Sequence, residues 1–287
     1  PVAGFGTDGI VDLKQHNDQL IDPLTGEIGW NSAPIVARDV VIVGASHRSG
    51  GSPPSRENVK GYIRGFDVRT GQRTWIFHTI PRPGEFGRDT WLNDSAVYTG
   101  NTGVWTNLTV DEELGIAYLP IEIPTGDYYG GHRPGDNLFA ASLIALDTET
   151  GERRWHYQMV HHDVWNYDTP TAPILMDVTV DGREIKGIFQ ATKQSWVYAL
   201  NRETGEPIWP IEERPVRGSN VPGEQLSPTQ PFPTWPEPFD LQGRTEDHLI
   251  DYTPEIFEAA RQVAIDNNLL NPLFNPPTTV ADPAGPA

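Results

Sequence analysis

Short apolar runs, broken at close intervals by Gly, Asn, Asp and Pro, dominate the chain. Ile35-Val36 followed by Val40-Val41-Ile42-Val43 predicts a buried strand ending in Gly44-Ala45-Ser46. Tyr62 to Val68, Ile116 to Ile121, Ser142 to Leu146 and Trp196 to Leu200 predict further short strands. One segment alone reads as a helix. It opens at Thr253-Pro254-Glu255, with Thr as N-cap and Pro at the first helical position, and runs to about Asn268.

An internal repeat organises these strands. Asp67-x-x-Thr70-Gly71-x-x-x-Trp75 recurs as Asp147-x-x-Thr150-Gly151-x-x-x-Trp155 and as Asn201-x-x-Thr204-Gly205-x-x-x-Trp209. In each copy a strand ends at Phe66, Leu146 or Leu200, a turn follows, and a new strand starts near the Trp. Asp22-x-x-Thr25-Gly26-x-x-x-Trp30 matches the spacing but lacks the preceding strand pattern. Asp or Asn favours the turn, Thr can hydrogen-bond its backbone, and Gly takes the positive φ that ends it. The Trp is a large apolar plate suited to packing between neighbouring sheets. Repeated units of a few strands each predict an all-β propeller.

Composition agrees. The 287 residues include 28 Gly and 27 Pro, which suits many turns and argues against long helices. Hydrophobic residues make up 37%, enough for a core. With no cysteine there is no disulfide framework, thiol nucleophile or Cys-based zinc site. A formal charge of −18 without a basic patch argues against nucleic acid or an anionic membrane surface as partner. No stretch approaches the roughly 20 apolar residues of a membrane span. Pro1 to Gly6 has neither the charged nor the apolar part of a signal peptide and reads as the middle of a loop in a longer protein.

From Glu212 the chain changes character. Pro215 to Pro238 is rich in Pro yet carries Phe232 and Trp235, so it predicts an extended excursion packed on the propeller surface. The expected division is 1–211 for the repeat-bearing blades and 212–287 for this excursion with its helix, the last stretch from Asn275 being loose.

The Thr-Gly-Trp repeat resembles the tryptophan-docking motif of the quinoprotein dehydrogenases. Gly61-Tyr62-Ile63-Arg64-Gly65-Phe66-Asp67, Phe77-His78-Thr79-Ile80-Pro81-Arg82-Pro83-Gly84-Glu85, Tyr129-Gly130-Gly131-His132-Arg133, His161-His162-Asp163-Val164-Trp165 and Trp209-Pro210-Ile211-Glu212-Glu213-Arg214-Pro215-Val216 resemble the membrane-type glucose dehydrogenase branch. The cysteine pair of the alcohol dehydrogenase branch is absent, which favours the glucose-dehydrogenase-like branch. The resemblance implies about four blades of an eight-bladed propeller, the remaining blades belonging to the parent chain.

It also implies a site. Trp105 matches the plate under the cofactor, pyrroloquinoline quinone, and Lys193 the cation beside its reactive carbonyls, where it would stabilise developing negative charge. Ser46 and, more weakly, Asn31 match polar contacts to the cofactor. The family's general base is an Asp directly after the Trp of the His-Asp-x-Trp string. Here it is Asn166, whose amide cannot accept a proton as a carboxylate does. If the segment is extended, Asp168 falls on the same face as Asn166 and Asp163 on the opposite one. His161 and His162 are alternative bases or structural groups. The family's Ca²⁺ is also in question, because its acidic ligand position falls on Ser49 and only Thr125 matches an oxygen donor, with Asp127 nearby.

The implied function is oxidation of a sugar or alcohol by hydride transfer to the quinone. Electrons then leave to a membrane quinone or a cytochrome, in the periplasm, with any membrane association made by parts outside this chain. The alternative is a propeller scaffold or binding module that has kept the repeat and lost the chemistry.

Overall fold

The computed structural model describes residues 2, 4–26, 28, 31–44, 55–267 and 269–279. Its framework is four antiparallel sheets. The first has the order β1 (Ile35–Ala37), β2 (Val40–Val43), β3 (Ile63–Asp67), β4 (Arg73–Phe77). The second repeats that meander with β5 (Thr109–Asp111), β6 (Ile116–Pro120), β7 (Ser142–Asp147), β8 (Arg153–Gln158). The third is three-stranded, β9 (Ile174–Val180), β10 (Arg183–Ala191), β11 (Val197–Asn201), with a bridge from Leu200 to Pro207 starting a fourth position. A hairpin of β12 (Ile211–Pro215) and β13 (Thr229–Pro233) completes the set.

The middle sheet explains why its strands are apolar throughout. Ala117 and Leu119 of β6 and Ile144 and Leu146 of β7 join the core shared with Ile42 and Ile63 of the first sheet. The alternate residues Ile116, Tyr118, Leu143 and Ala145 join Ile188, Tyr198 and Leu200 of the third. Side chains alternate across a strand, so a sheet covered on both faces loses its polar positions. Adjacent sheets are thus stacked face to face, as blades are.

The repeat makes the joints. Asp67 Oδ1 accepts the N–H groups of Arg69 and Thr70 at 3.0 and 2.7 Å, and Gly71 takes φ 70°. Asp147 and Asn201 build the same turns, closed by Gly151 and Gly205 at φ 71° and 78°. Trp75 and Trp155 then dock on the following turns. Trp75 Nε1 donates to Thr148 O at 3.0 Å and its ring lies over Gly151, while Trp155 Nε1 donates to Arg202 O at 3.0 Å and covers Gly205. The Asp22 turn also forms, with Oδ1 accepting from Leu24 and Thr25; its Trp30 lies outside the described residues.

Within the Pro-rich excursion β12 and β13 pair over Ile211–Pro215 and Thr229–Pro233, a hairpin that the sequence did not predict. It is fastened to the third sheet. Tyr198 hydroxyl donates to Pro231 O at 2.8 Å, and the Gln230 amide exchanges two hydrogen bonds with the His161 backbone at 2.7 and 2.8 Å. Phe232 and Phe274 pack on Trp196. The helix α1 (Pro254–Asp266) starts where expected, with Thr253 Oγ1 accepting from Ile256 N. Among the described residues no helix is long and apolar enough to cross a membrane.

Candidate active site

Three loops converge at one end of the second and third sheets. The first, Gly100 to Trp105, is stitched to the segment after β6: Glu122 N donates to Gly103 O at 2.9 Å, and Gly103 N donates to Glu122 Oε1 at 3.0 Å. Ser32 Oγ donates to Val104 O at 3.1 Å, which brings the neighbouring, exposed Asn31 to the Trp105 loop. Ser46 and Ser49 lie outside the described residues. The second loop, His162 to Asp168, follows β8. The third is the turn between β10 and β11, closed by Thr192 N donating to Trp196 O, which carries Lys193.

Lys193 is the hub. Its Nζ donates to Asn166 O at 2.9 Å, to Asn166 Oδ1 at 3.1 Å and to Asp168 Oδ2 at 2.9 Å, and lies 5.9 Å from the centre of the Trp105 ring. A cation over an indole face is favourable. Asp168 Oδ1 accepts the N–H of Ile123 at 2.9 Å, so this carboxylate ties the second loop to the end of β6. Asn166 sits at φ 57°, so the segment is not extended as expected. That left-handed residue turns both its carbonyl and its amide oxygen toward Lys193. Asn166 and Asp168 therefore do share a site, though by a different geometry.

Asp163 has another role. Its Oδ1 accepts from Trp165 N at 2.7 Å and its Oδ2 from Tyr167 N at 3.0 Å. Both oxygens hold the turn that presents Asn166, which makes Asp163 a positioning residue. Burial pushes its carboxyl up to about 7 despite those bonds. The two histidines also face away from Lys193. His162 is buried between Gly135 O at 2.7 Å and Glu224 Oε1 at 2.6 Å, and His161 contacts Gln158 and Glu213.

Sequence reasoning passed over Glu122. It is 7% exposed, and burial, reinforced by the nearby negative charge of Asp168, pushes its carboxyl up to about 8. A lone acid ending the apolar run Leu119-Pro120-Ile121 was the available signal. Burial and Asp168 likewise raise Asp127. A Glu122 that is largely protonated at neutral pH reduces the negative charge facing any anionic ligand on Trp105.

The residues fit a flat, oxygen-rich, anionic cofactor. Trp105 supplies a plate, Lys193 a cation at its face, and the buried Trp105 Nε1 has no hydrogen-bond partner among the described residues. They do not by themselves fit calcium. Thr125 is 1% exposed and spends its hydroxyl proton on Asn101 Oδ1 at 3.0 Å. Among the described residues no three His, Asp or Glu side chains gather to hold a metal ion, and hard cations want several charged oxygens.

Stacked antiparallel sheets thus carry, where their loops meet, a Trp ring with an ammonium at its face. Over residues 1–286 the chain matches the family described as "PQQ: Glucose/ethanol/alcohol dehydrogenase, beta-propeller domain", and it belongs to that family, whose cofactor is pyrroloquinoline quinone. It is 34% identical over 233 residues to the quinoprotein glucose dehydrogenase of Gluconobacter oxydans, covering 80% of this chain and 28% of that protein. It is 36% identical over 234 residues to the glycerol dehydrogenase large subunit of the same organism, covering 80% of this chain and 30% of the relative. A quinohemoprotein alcohol dehydrogenase from Pseudomonas putida superposes with a TM-score of 0.55 at 27% identity, over 70% of this chain and 30% of that structure. The chain thus spans less than a third of the length of these relatives.

Proposed function

We propose that this chain supplies the cofactor plate and the proton-accepting side of the reaction centre in a pyrroloquinoline quinone-dependent dehydrogenase acting on a sugar or an alcohol. The observation that carries this reading is the convergence of Trp105, Lys193, Asn166 and Asp168 from three separate loops. When bound, the quinone supplies the two-electron acceptor. Trp105 would support its ring, and Lys193 would neutralise negative charge at its oxygens. Asn31 would add a polar contact at the rim.

Asp168 is the group in the centre able to take the substrate's hydroxyl proton. Asn166 cannot do so; its Oδ1 and its carbonyl help hold the ammonium, and its Nδ2 donates to Tyr128 hydroxyl at 3.3 Å. An ammonium shared between Asp168 and a bound anion binds Asp168 less tightly, which frees its Oδ2 for proton transfer. This reading carries a membrane quinone or cytochrome as electron acceptor and the periplasm as the place of work.

The second reading is a non-catalytic propeller, and the amide at Asn166 is the observation that favours it. Titration of the full-length parent protein with pyrroloquinoline quinone, with and without Ca²⁺, followed by dye reduction, separates the two. Saturable binding with turnover supports the dehydrogenase, binding without turnover supports the second reading, and no binding removes both roles for Trp105 and Lys193.

A further inference from the structure

Beside Asn166 the second loop opens into a cleft of about 530 Å³ that the reaction centre does not account for. Trp165 and Tyr167, on either side of Asn166, stack with ring centres 6.1 Å apart and planes 17° from parallel. Tyr128, which accepts from the Asn166 amide, forms a third aromatic wall.

The cleft is built rather than incidental. Trp165 Nε1 donates to Asn275 O at 2.8 Å, and Tyr167 hydroxyl donates to Leu273 O at 2.9 Å. Both rings are therefore pinned at their polar ends to the returning segment after α1. Arg244 N donates to Asn271 O at 2.8 Å and clips the opposite wall to the same segment. A Cβ at Gly243 would stand 2.6 Å from Asn271 O, so that wall approaches as closely as a glycine permits. The Arg244 side chain lines the cleft and makes no ion pair or side-chain hydrogen bond among the described residues. Among the described residues it is an unengaged guanidinium, in a chain of formal charge −18.

We infer that this cleft is the specificity subsite of the reaction: it holds the non-reacting body of a hydroxylated ring, a sugar or cyclic polyol, whose reacting hydroxyl lies at Asn166 and Asp168. The inference rests on the proposed dehydrogenase reading and deepens it. Aromatic faces pack against the C–H face of such a ring, and the guanidinium fork donates to vicinal hydroxyls or to a ring carboxylate. A short alkanol would leave the walls unfilled and Arg244 unused. Pockets of this size take ligands far larger than two-carbon molecules. Arg244, Tyr128 and Trp165 are then specificity-determining residues.

The test is calorimetric titration of the full-length parent, with and without pyrroloquinoline quinone, using glucose, glucuronate and 1-propanol as probes. Glucose or glucuronate should bind with 1-propanol much weaker, and the stronger of the two tells whether Arg244 reads hydroxyls or a carboxylate. Arg244→Ala should weaken the ring ligand by about tenfold, the loss expected for one charge-assisted hydrogen bond, with Arg244→Lys recovering part and quinone affinity unchanged in both. Arg244 is exposed, so these variants should fold. Quinone binding without ring-ligand binding, or ring-ligand binding indifferent to Arg244, would overturn the subsite and leave the dehydrogenase reading standing. Ring-ligand binding that depends on Arg244 in a protein that never takes up quinone would do the reverse.

Discussion

Lys193 holds the candidate centre together, because one ammonium bonds both Asn166 oxygens and Asp168 and covers the Trp105 face. Lys193→Met keeps most of the stem and removes the charge, so it should abolish high-affinity quinone binding without unfolding the protein. Asp168→Asn is expected to reduce turnover by about 10²–10⁴-fold, the range for loss of a general base, with a much smaller effect on quinone affinity. Glu122 makes a pH prediction. Its carboxyl is raised to about 8 in the fold, against an ordinary value of 4.5. Between those values the folded state binds more protons than the unfolded chain, so stability falls as pH rises across that window. Asp163, raised to about 7, adds the same sign over a narrower range. Glu122→Gln keeps an acceptor for Gly103 N, and thermal melts from pH 5 to 8 should show its decline flattened relative to the parent.

At the scale of elements, the turn and the Trp act as one device. Gly151 sits at φ 71°, and a Cβ there would stand 2.6 Å from the Trp75 ring, while Gly182 sits at φ 73° with nothing within 4 Å. Both Ala variants should lose the roughly 1–2 kcal/mol of a left-handed backbone. Gly151→Ala should lose clearly more in urea unfolding, and the difference measures the docking of one sheet on the next. This device was legible from spacing alone, as were β3, β6, β7 and β11; the run from Ile35 to Val43 reads as one strand but is two, β1 and β2, paired across a tight turn at Arg38 and Asp39. β9 and β10 were not legible, because Arg183, Glu184 and Lys186 interrupt any apolar run at the exposed end of that hairpin. β12 and β13 were hidden by their prolines, which are tolerated in a two-stranded ribbon where one side of each strand needs no partner. In the site, Trp105 and Lys193 were legible only through the family resemblance and Asp168 only as a neighbour of Asn166; the structure brings Lys193 against both Asp168 and the Trp105 ring. The left-handed turn at Asn166 and the burial of Glu122 depend on loops meeting from distant segments, which no local pattern records. The stretch of the excursion before β13 is tied down by a buried pair, His162 with Glu224, at 1% and 3% side-chain exposure. Glu224 Oε2 also accepts Gly130 N at 2.5 Å. Glu224→Ala would leave His162 Nε2 and the Gly130 N–H without their partner, and limited proteolysis should then cut within residues 216–228 where the parent resists.

The whole molecule is a stack of sheets whose outer faces and edges depend on what adjoins them. Trp75 and Trp155 each find their socket on the following sheet. The chain covers only 28% of its glucose dehydrogenase relative, so the activity proposed here belongs to the assembled parent. A closed ring protects its strand edges, whereas an open stack presents them for pairing. The 287-residue chain alone should therefore self-associate or unfold over a broad range in sedimentation and melting experiments. A monodisperse monomer with a single sharp transition would contradict that.

The most direct test of the central claim is the equilibrium titration of the full-length parent and its Lys193→Met variant with pyrroloquinoline quinone, followed by quenching of tryptophan fluorescence. The account predicts saturable quenching at one quinone per chain in the parent and its loss in the variant. Equal quenching in both, or none in the parent, would contradict the assignment of Trp105 and Lys193 as the cofactor site.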